Sequence, residues 1–376
     1  MTVAVNVRHL IPNKMEGIGL FSYQIMKRIT QKHSDVNFYF LFDRNFSDRF
    51  LFSENITPII LSPPARHPLL IYYWNEYLVP DLLNKLKPDV YVSLDGFISK
   101  RATYKQYAVV HDVNFAVYPQ YLTWSLRKLY EYFFIKHSCY ATRIATVSEF
   151  SKTEIVKYLN YPLEKIDVVY NASNLHLESL NDEQAMVLKQ RYTQGKNYFL
   201  FIGSINPRKN VEGLLKAFEL YKAYTGSDDK LIIVGRSFWG NSAIQKLYRS
   251  SRYKNDIVFT GRLEDTITAC LLHDAKALVY VSHYEGFGVP VVEAMQIGTP
   301  VITSSTTALS EVAGEAAIKI HPQDMEGIAM AMKKISEDQG YVQLLIEKGK
   351  IQAQKFNWDK SADQFWEGIV KVMEEV

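Results

Sequence analysis

Ser282-His283-Tyr284-Glu285-Gly286-Phe287-Gly288-Val289-Pro290-Val291-Val292-Glu293-Ala294-Met295 is the stretch that decides the fold of this chain. The residues ahead of it, 277–281, are apolar and mostly β-branched or aromatic, and predict a strand. Two glycines one residue apart then make a loop. Pro290 opens a helix, where its missing N–H costs nothing. The run 291–295 is apolar nearly all round, so the helix is expected to be buried, with Glu293 in its first turn. Strand, glycine loop and buried helix in that order make one unit of a parallel α/β sheet.

The same alternation extends outward in both directions. In the second half, strands are expected at 198–202, 230–234, 257–259, 300–303 and 317–320, each followed by a helical pattern. In the first half they are expected at 3–7, 37–42, 57–61, 90–93, 107–111, 143–147 and 167–170, with helices over 18–32, 126–141 and 149–159. Strands this apolar are covered on both faces. A chain of 376 residues exceeds what one core usually serves. Two Rossmann-like, doubly wound domains follow, 1–175 and 198–357, joined by a polar linker at 176–197.

In open α/β sheets, ligands sit where strands end and helices begin. Two crossings carry unusual chemistry. At the first, the strand ends at Gly203, and Arg208 and Lys209 stand just before a helix that starts near Val211, with Asn210 as its N-cap. Two cations beside the positive end of a helix suit a diphosphate, although two solvated surface cations would read the same way. At the second, Gly286 and Gly288 let backbone amides approach a ligand closely. Glu293 needs donors, from ligand hydroxyls or from first-turn amides. Glu285 faces neutral sugar hydroxyls or makes a salt bridge to a nearby cation.

Composition excludes several classes. Two cysteines, Cys139 and Cys270, build neither a disulfide framework nor a thiolate zinc site, and suit a reducing compartment. Residues 1–10 read as a strand, not a signal peptide, and no run approaches about 18 apolar residues. A cytoplasmic location is expected. Net charge is +3, too small to imply nucleic acid. It is uneven: residues 1–170 hold 20 Lys+Arg against 15 Asp+Glu, and the remainder 23 against 25. Aromatics and basic residues interleave over 69–87 and 121–141, which fits a packed core or an interfacial membrane contact. Gly17-Ile18-Gly19 lacks the third glycine of a dinucleotide fingerprint, since Leu20, Phe21 and Ser22 follow. There is no Asp-x-Asp and no HExxH.

These residues resemble a known family. Glu285-Gly286-Phe287-Gly288 through Glu293 is similar to the E-x7-E motif of retaining glycosyltransferases of family 4, which have the GT-B fold. Pro207-Arg208-Lys209-Asn210 resembles their phosphate-binding segment. Thr299-Pro300-Val301-Ile302, Glu311-Val312-Ala313-Gly314 and Phe356-Asn357-Trp358-Asp359 match later family segments. Glu16-Gly17-Ile18-Gly19, His111-Asp112 and the segment 146–151 match in the first half. One departure is Ser204, where many relatives carry an arginine.

The resemblance implies two domains facing a central cleft, with a C-terminal helix, 358–376, crossing back to the N-terminal domain. It implies transfer of a hexose, mannose, glucose or similar, from a UDP- or GDP-sugar. The acceptor would be a glycan or lipid-linked molecule in cell-envelope polysaccharide synthesis, with peripheral contact at the inner membrane face. Anomeric configuration would be retained, and no cofactor or metal is expected. Glu293 would bind the donor ribose, and Arg208 and Lys209 the diphosphate. Gly203, Gly286, Phe287, Gly288 and Val289 would line the donor, with Glu285 at the sugar. His111 would touch sugar hydroxyls, and Gly17 and Gly19 would let the N-terminal loop close. Without the resemblance, His111 reads as a buried histidine satisfied by backbone, and Asp95 and Asp112 as carboxylates that nothing singles out. A non-catalytic glycan-binding relative and a GT-B enzyme of another reaction are the competing readings.

Overall fold

The structure, a computed structural model, describes residues 1–12, 15, 17–175, 182–236 and 242–375. Two compact units result: 1–171 with 357–376, and 172–356.

The first unit holds seven parallel strands: β1 (Thr2–Asn6), β2 (Asn37–Phe42), β3 (Ile56–Ile60), β4 (Val90–Ser93), β5 (Gln106–Val109), β6 (Arg143–Thr146) and β7 (Ile166–Val168). Their order in the sheet is β3-β2-β1-β4-β5-β6-β7. Val3, Ala4, Val5, Val90, Val92 and Val109 are fully buried, as a sheet covered on both faces requires. Each large side chain so buried contributes roughly 1.5–3 kcal/mol before entropy is counted. The helix Trp358–Glu374 belongs to this unit. Its Phe365 ring lies 5.0 Å from Tyr107 and 6.1 Å from Phe21 of the helix Ile18–Lys32.

The second unit holds β8 (Tyr198–Ile202), β9 (Lys230–Val234), β10 (Ile257–Gly261), β11 (Ala277–Tyr280), β12 (Val301–Ser304) and β13 (Ile318–Ile320), all parallel. Their order is β10-β9-β8-β11-β12-β13.

Each sheet therefore reverses its winding once, at β1/β4 and at β8/β11. These switch points place two loops side by side that lie far apart in sequence. Of the expected linker 176–197, residues 176–181 lie outside the described residues, while Asp182–Thr193 form a helix of the second unit; Glu16 of the expected N-terminal glycine motif also lies outside the described residues. The helix expected over 126–141 is composite: Trp124–Tyr130 is α-helical, and Glu131–Lys136 winds wider, in π-type turns.

Candidate functional site

At the β8/β11 switch point, the loop after β8 meets the loop after β11. Beyond Gly203 the chain makes a tight turn, Pro207–Lys209, capped by the Asn206 side chain, which accepts from the Lys209 amide at 3.3 Å. Asn210 stands at the N-cap position of the helix Val211–Thr225, as expected, but its side chain makes no capping bond there. Its amide donates instead to the carbonyls of Val281 at 3.0 Å and Pro322 at 2.7 Å, tying this loop to the end of β11. The His283 amide donates to the Arg208 carbonyl at 2.8 Å and locks the two loops together.

Arg208 and Lys209 converge on Glu285. Arg208 Nη1 lies 2.8 Å from one carboxylate oxygen and Lys209 Nζ 2.6 Å from the other. Arg208 also donates to the Tyr284 carbonyl at 2.6 Å. Lys209 donates to the buried hydroxyl of Tyr280, which itself donates to Glu285 Oε1 at 3.3 Å. Burial pushes the Glu285 pKa up, but the adjacent Lys209 and Arg208 outweigh it and hold it below the usual range. Burial and the Glu285 charge raise the Tyr280 phenol well above its ordinary value, so it stays a neutral donor. The salt bridge is the arrangement present here. Arg208, Lys209 and Tyr280 take up three of about four acceptor directions of the carboxylate.

The following helix is Val289–Ile297, with Gly288 at its start at φ 104. An added Cβ on Gly288 would come within 2.4 Å of the Leu309 side chain, so both conformation and packing require glycine there. Pro290 is the second helical residue and Glu293 the fifth. Glu293 thus stands one residue further in than expected, just past the first turn, and is not a first-turn cap. Burial and the nearby Asp265 push its pKa up to about 7, against a bond from the Asn174 backbone.

In the first unit, β5 ends at Val109, and His111 lies just beyond it. Its Nε2 stands 3.1 Å from the Leu94 carbonyl. A carbonyl only accepts, so Nε2 carries the proton and Nδ1 is left as the acceptor of the neutral ring. Burial lowers its pKa, which keeps the ring neutral, and the Phe21 ring packs edge-on at 5.0 Å. Gly17 precedes the helix Ile18–Lys32 at φ 48. At Gly19 a Cβ would come 2.6 Å from the His9 carbonyl oxygen, so the close neighbour that demands glycine is backbone. Asp112 accepts from the Asn114 backbone amide at 3.0 Å, closing a local turn.

The sequence reading missed Asp95. It sits beyond β4 at the other switch point, where Arg8 donates to it and Asn6 Nδ2 donates at 3.0 Å. His9 Nε2 lies 3.3 Å away. Burial raises the Asp95 pKa, but Arg8 and His9 override this and hold it well below the carboxylate range. Tyr280 was also missed. The available signal is a polar-tipped residue inside the otherwise aliphatic strand 277–281.

The structure therefore brings Gly203, Arg208, Lys209, Glu285 and Gly286–Val289 to one switch point, with Glu293 one helical turn on. Gly17, Gly19 and His111 belong to the first unit. A cavity of about 320 Å³ opens at the amino end of the second sheet, where Lys196, Lys222 and Lys230 pair with Asp228 and Asp256. It lies away from the strand ends that carry these residues. Among the described residues, no group of three or more His, Cys, Asp or Glu could hold a metal ion, and no helix is long and apolar enough to cross a membrane.

Residues 184–352 match the family model of glycosyl transferases group 1. The chain is 27% identical over 362 residues to O-antigen chain mannosyltransferase B of Escherichia coli, covering 93% of this chain and 94% of that protein. It is 31% identical over 233 residues to O-antigen chain mannosyltransferase RfbU of Salmonella typhimurium strain LT2, covering 62% and 61%. Among solved structures, sucrose-phosphate synthase from Thermosynechococcus elongatus superposes with a TM-score of 0.77 at 18% identity, covering 99% of both chains. HepE from Anabaena in complex with UDP-glucose gives 0.72 at 16% identity, over 99% and 100%. At these identities the two structures speak for the fold, which is GT-B.

Proposed function

We propose, on the premise that this chain is a glycosyltransferase whose residues 184–352 are a group 1 domain, that it transfers mannose or a similar hexose from a nucleotide-diphosphate sugar to a glycan or lipid-linked acceptor of a cell-envelope polysaccharide. The observation that carries the reading is the pairing of Arg208 and Lys209 on one carboxylate at the β8/β11 switch point. Breaking the anomeric C–O bond puts positive charge on the sugar and negative charge on the departing diphosphate. Two fixed cations beside the amino-terminal ends of the helices Val211–Thr225 and Val289–Ile297 stabilise that anion.

Glu285 limits the net charge of this group to one positive, so the cations stay in place and exchange part of their bonding for phosphate oxygens. Its remaining acceptor direction suits a sugar hydroxyl. Glu293 takes ribose hydroxyls. In the first unit, His111 presents Nδ1 as an acceptor for a hydroxyl proton. Gly286, Phe287 and Val289 supply donor contacts beside Gly288; in the first unit Gly17 precedes the helix Ile18–Lys32, and Gly19, expected in the loop, is instead the second residue of that helix, packed against the His9 backbone. Retention of configuration, with the donor phosphate accepting the acceptor's proton, is the mechanism we assign. We further propose that no metal is needed, because Arg208 and Lys209 supply the positive charge, and that the enzyme works at the cytoplasmic face of a membrane.

The test is a transfer and hydrolysis screen of the purified protein against UDP-, GDP- and ADP-sugars, in EDTA and in Mg²⁺. Turnover of GDP-mannose or a related nucleotide hexose in EDTA is expected. Absence of turnover with every donor, under both conditions, overturns the reading.

A further inference from the structure

Two histidines of the first unit hang from consecutive residues. His111, two residues past β5, sets Nε2 3.1 Å from the Leu94 carbonyl. His9, three residues past β1, sets Nε2 3.3 Å from the Asp95 carboxylate. Strands β1, β4 and β5 are neighbours in the sheet, so the loop after β4 runs between the two segments that carry the rings. A carbonyl only accepts, and so does Asp95, which its neighbours keep ionised. Each ring therefore holds a proton on Nε2 and, while neutral, leaves the same atom, Nδ1, as an acceptor. Among the described residues none bonds either Nδ1.

His9 is braced from several sides. Its anchor, Asp95, also accepts from Arg8, from Asn6 and the Ser93 hydroxyl at 3.0 Å, and from the Phe97 amide at 3.2 Å. Arg8 balances the Asp95 charge, so the His9 ring is not needed as a counter-ion. The backbone behind the ring is fixed as well: the Ile11 amide donates to the His9 carbonyl at 3.0 Å, and the helix Ile18–Lys32 packs Gly19 against that same carbonyl. Asp95 and Arg8 are buried, yet the His9 side chain is 38% exposed. An imidazole with a fixed tautomer, a fixed orientation and an open acceptor atom suits a hydroxyl arriving from solvent.

The reaction says which hydroxyl. Glycosyl transfer brings two hydroxyl-rich sugars together. His111, with the Phe21 ring edge-on against it, is the ring assigned above to a sugar of the donor. His9, at the exposed edge, is left for the acceptor.

We propose that His9 is an acceptor-recognition residue: its Nδ1 receives a hydroxyl of the acceptor sugar next to the one that attacks, and the Arg8–Asp95 pair holds the ring in place for it. The attacking hydroxyl keeps its own proton for the donor phosphate. This rests on the transferase reading. Absence of turnover with every donor refutes that reading, whereas donor turnover with an acceptor preference indifferent to His9 refutes this inference alone.

The test uses the full chain, the nucleotide hexose it turns over fastest, and a panel of methyl α- and β-hexopyranosides with their monodeoxy analogues. The quantity read is the ratio of transfer to donor hydrolysis at a fixed, subsaturating hexoside. His9→Ala is expected to lower it about tenfold through the acceptor KM, the loss of one hydrogen bond, with affinity for free nucleotide kept. His9→Asn, which keeps an acceptor oxygen near the place of Nδ1, is expected to recover part of the loss. Wild type should discriminate against one monodeoxy analogue that His9→Ala accepts as well as its parent. An unchanged ratio in His9→Ala, a His9→Asn no better than His9→Ala, or the same deoxy preferences in wild type and His9→Ala overturns the proposal. A second measurement needs no variant and no turnover: nitrogen NMR of the wild-type imidazoles is expected to place the proton of neutral His9 on Nε2. A proton on Nδ1 overturns the proposal.

Discussion

Asp95 in the first unit and Glu285 in the second are both carboxylates beyond the end of a strand, at a switch point, beside two basic side chains. The two grips differ in what surrounds them. Arg8 is 5% exposed and lies over the Phe97 ring at 4.9 Å, and Asp95 also accepts from Asn6, from Ser93 at 3.0 Å and from the Phe97 amide at 3.2 Å. Asp95 and Arg8 are closed in by these partners, and His9, 38% exposed, forms the open edge of the cluster. Arg208 is 21% exposed, and Glu285 has no backbone amide among these partners. In the second cluster Arg208 is the more open cation and Lys209, 10% exposed, the more enclosed one. The same local chemistry is a structural clamp in one sheet and, under the function proposed above, a ligand-taking group in the other.

That contrast breaks most visibly under charge removal. Asp95→Ala leaves Arg8 buried without its counter-ion, and should cost about 3–5 kcal/mol of stability by denaturant titration. Glu285→Gln should cost less, about 1–3 kcal/mol, while sharply lowering transfer. Equal stability losses at the two sites would erase the distinction.

Lys209→Ala should weaken binding of free UDP or GDP by roughly 1.5–3 kcal/mol, read by calorimetry. Arg8→Ala should leave nucleotide affinity unchanged in whatever fraction remains folded. A nucleotide affinity indifferent to Lys209 would place the diphosphate elsewhere.

His111→Ala should lower turnover at least tenfold, about 1.4 kcal/mol, with donor affinity largely kept. An unchanged rate would leave His111 as a buried ring satisfied by the Leu94 carbonyl.

How legible each cluster is in the sequence follows from chain separation. Most of the thirteen strands among the described residues are readable because they are short buried apolar runs, though β3, β7, β10 and β13 are only partly buried, and 37–42, 90–93, 198–202 and 230–234 match in full. Glu285 stands out because the glycine loop and helix around it are contiguous. Asp95 does not, because Arg8 is 87 residues away and only the β1/β4 adjacency joins them. The pairing of Arg208 with Glu285 was open for the same reason. The helix limit was misplaced by one residue, because Gly288 at φ 104 already opens the turn that Pro290 was expected to start.

Glu293 gives the smallest effect and the finest discrimination. Its carboxyl is pushed up to about 7 by burial and by Asp265, above its ordinary unfolded value. An unfolded chain therefore ionises this group more readily than the folded one between roughly pH 4.5 and 7, and this residue's contribution to stability falls as pH rises through that window. Glu293→Gln should raise the thermal midpoint at pH 8 by more than it does at pH 5. Ribose hydroxyls donate to the ionised form, so ligand binding favours deprotonation, and wild-type nucleotide affinity should rise as pH climbs past about 7. The phosphates of the ligand titrate as well, so the informative quantity is the wild-type slope minus that of Glu293→Gln. A difference of zero would remove ribose from Glu293, even if Arg208 and Lys209 hold the diphosphate as proposed.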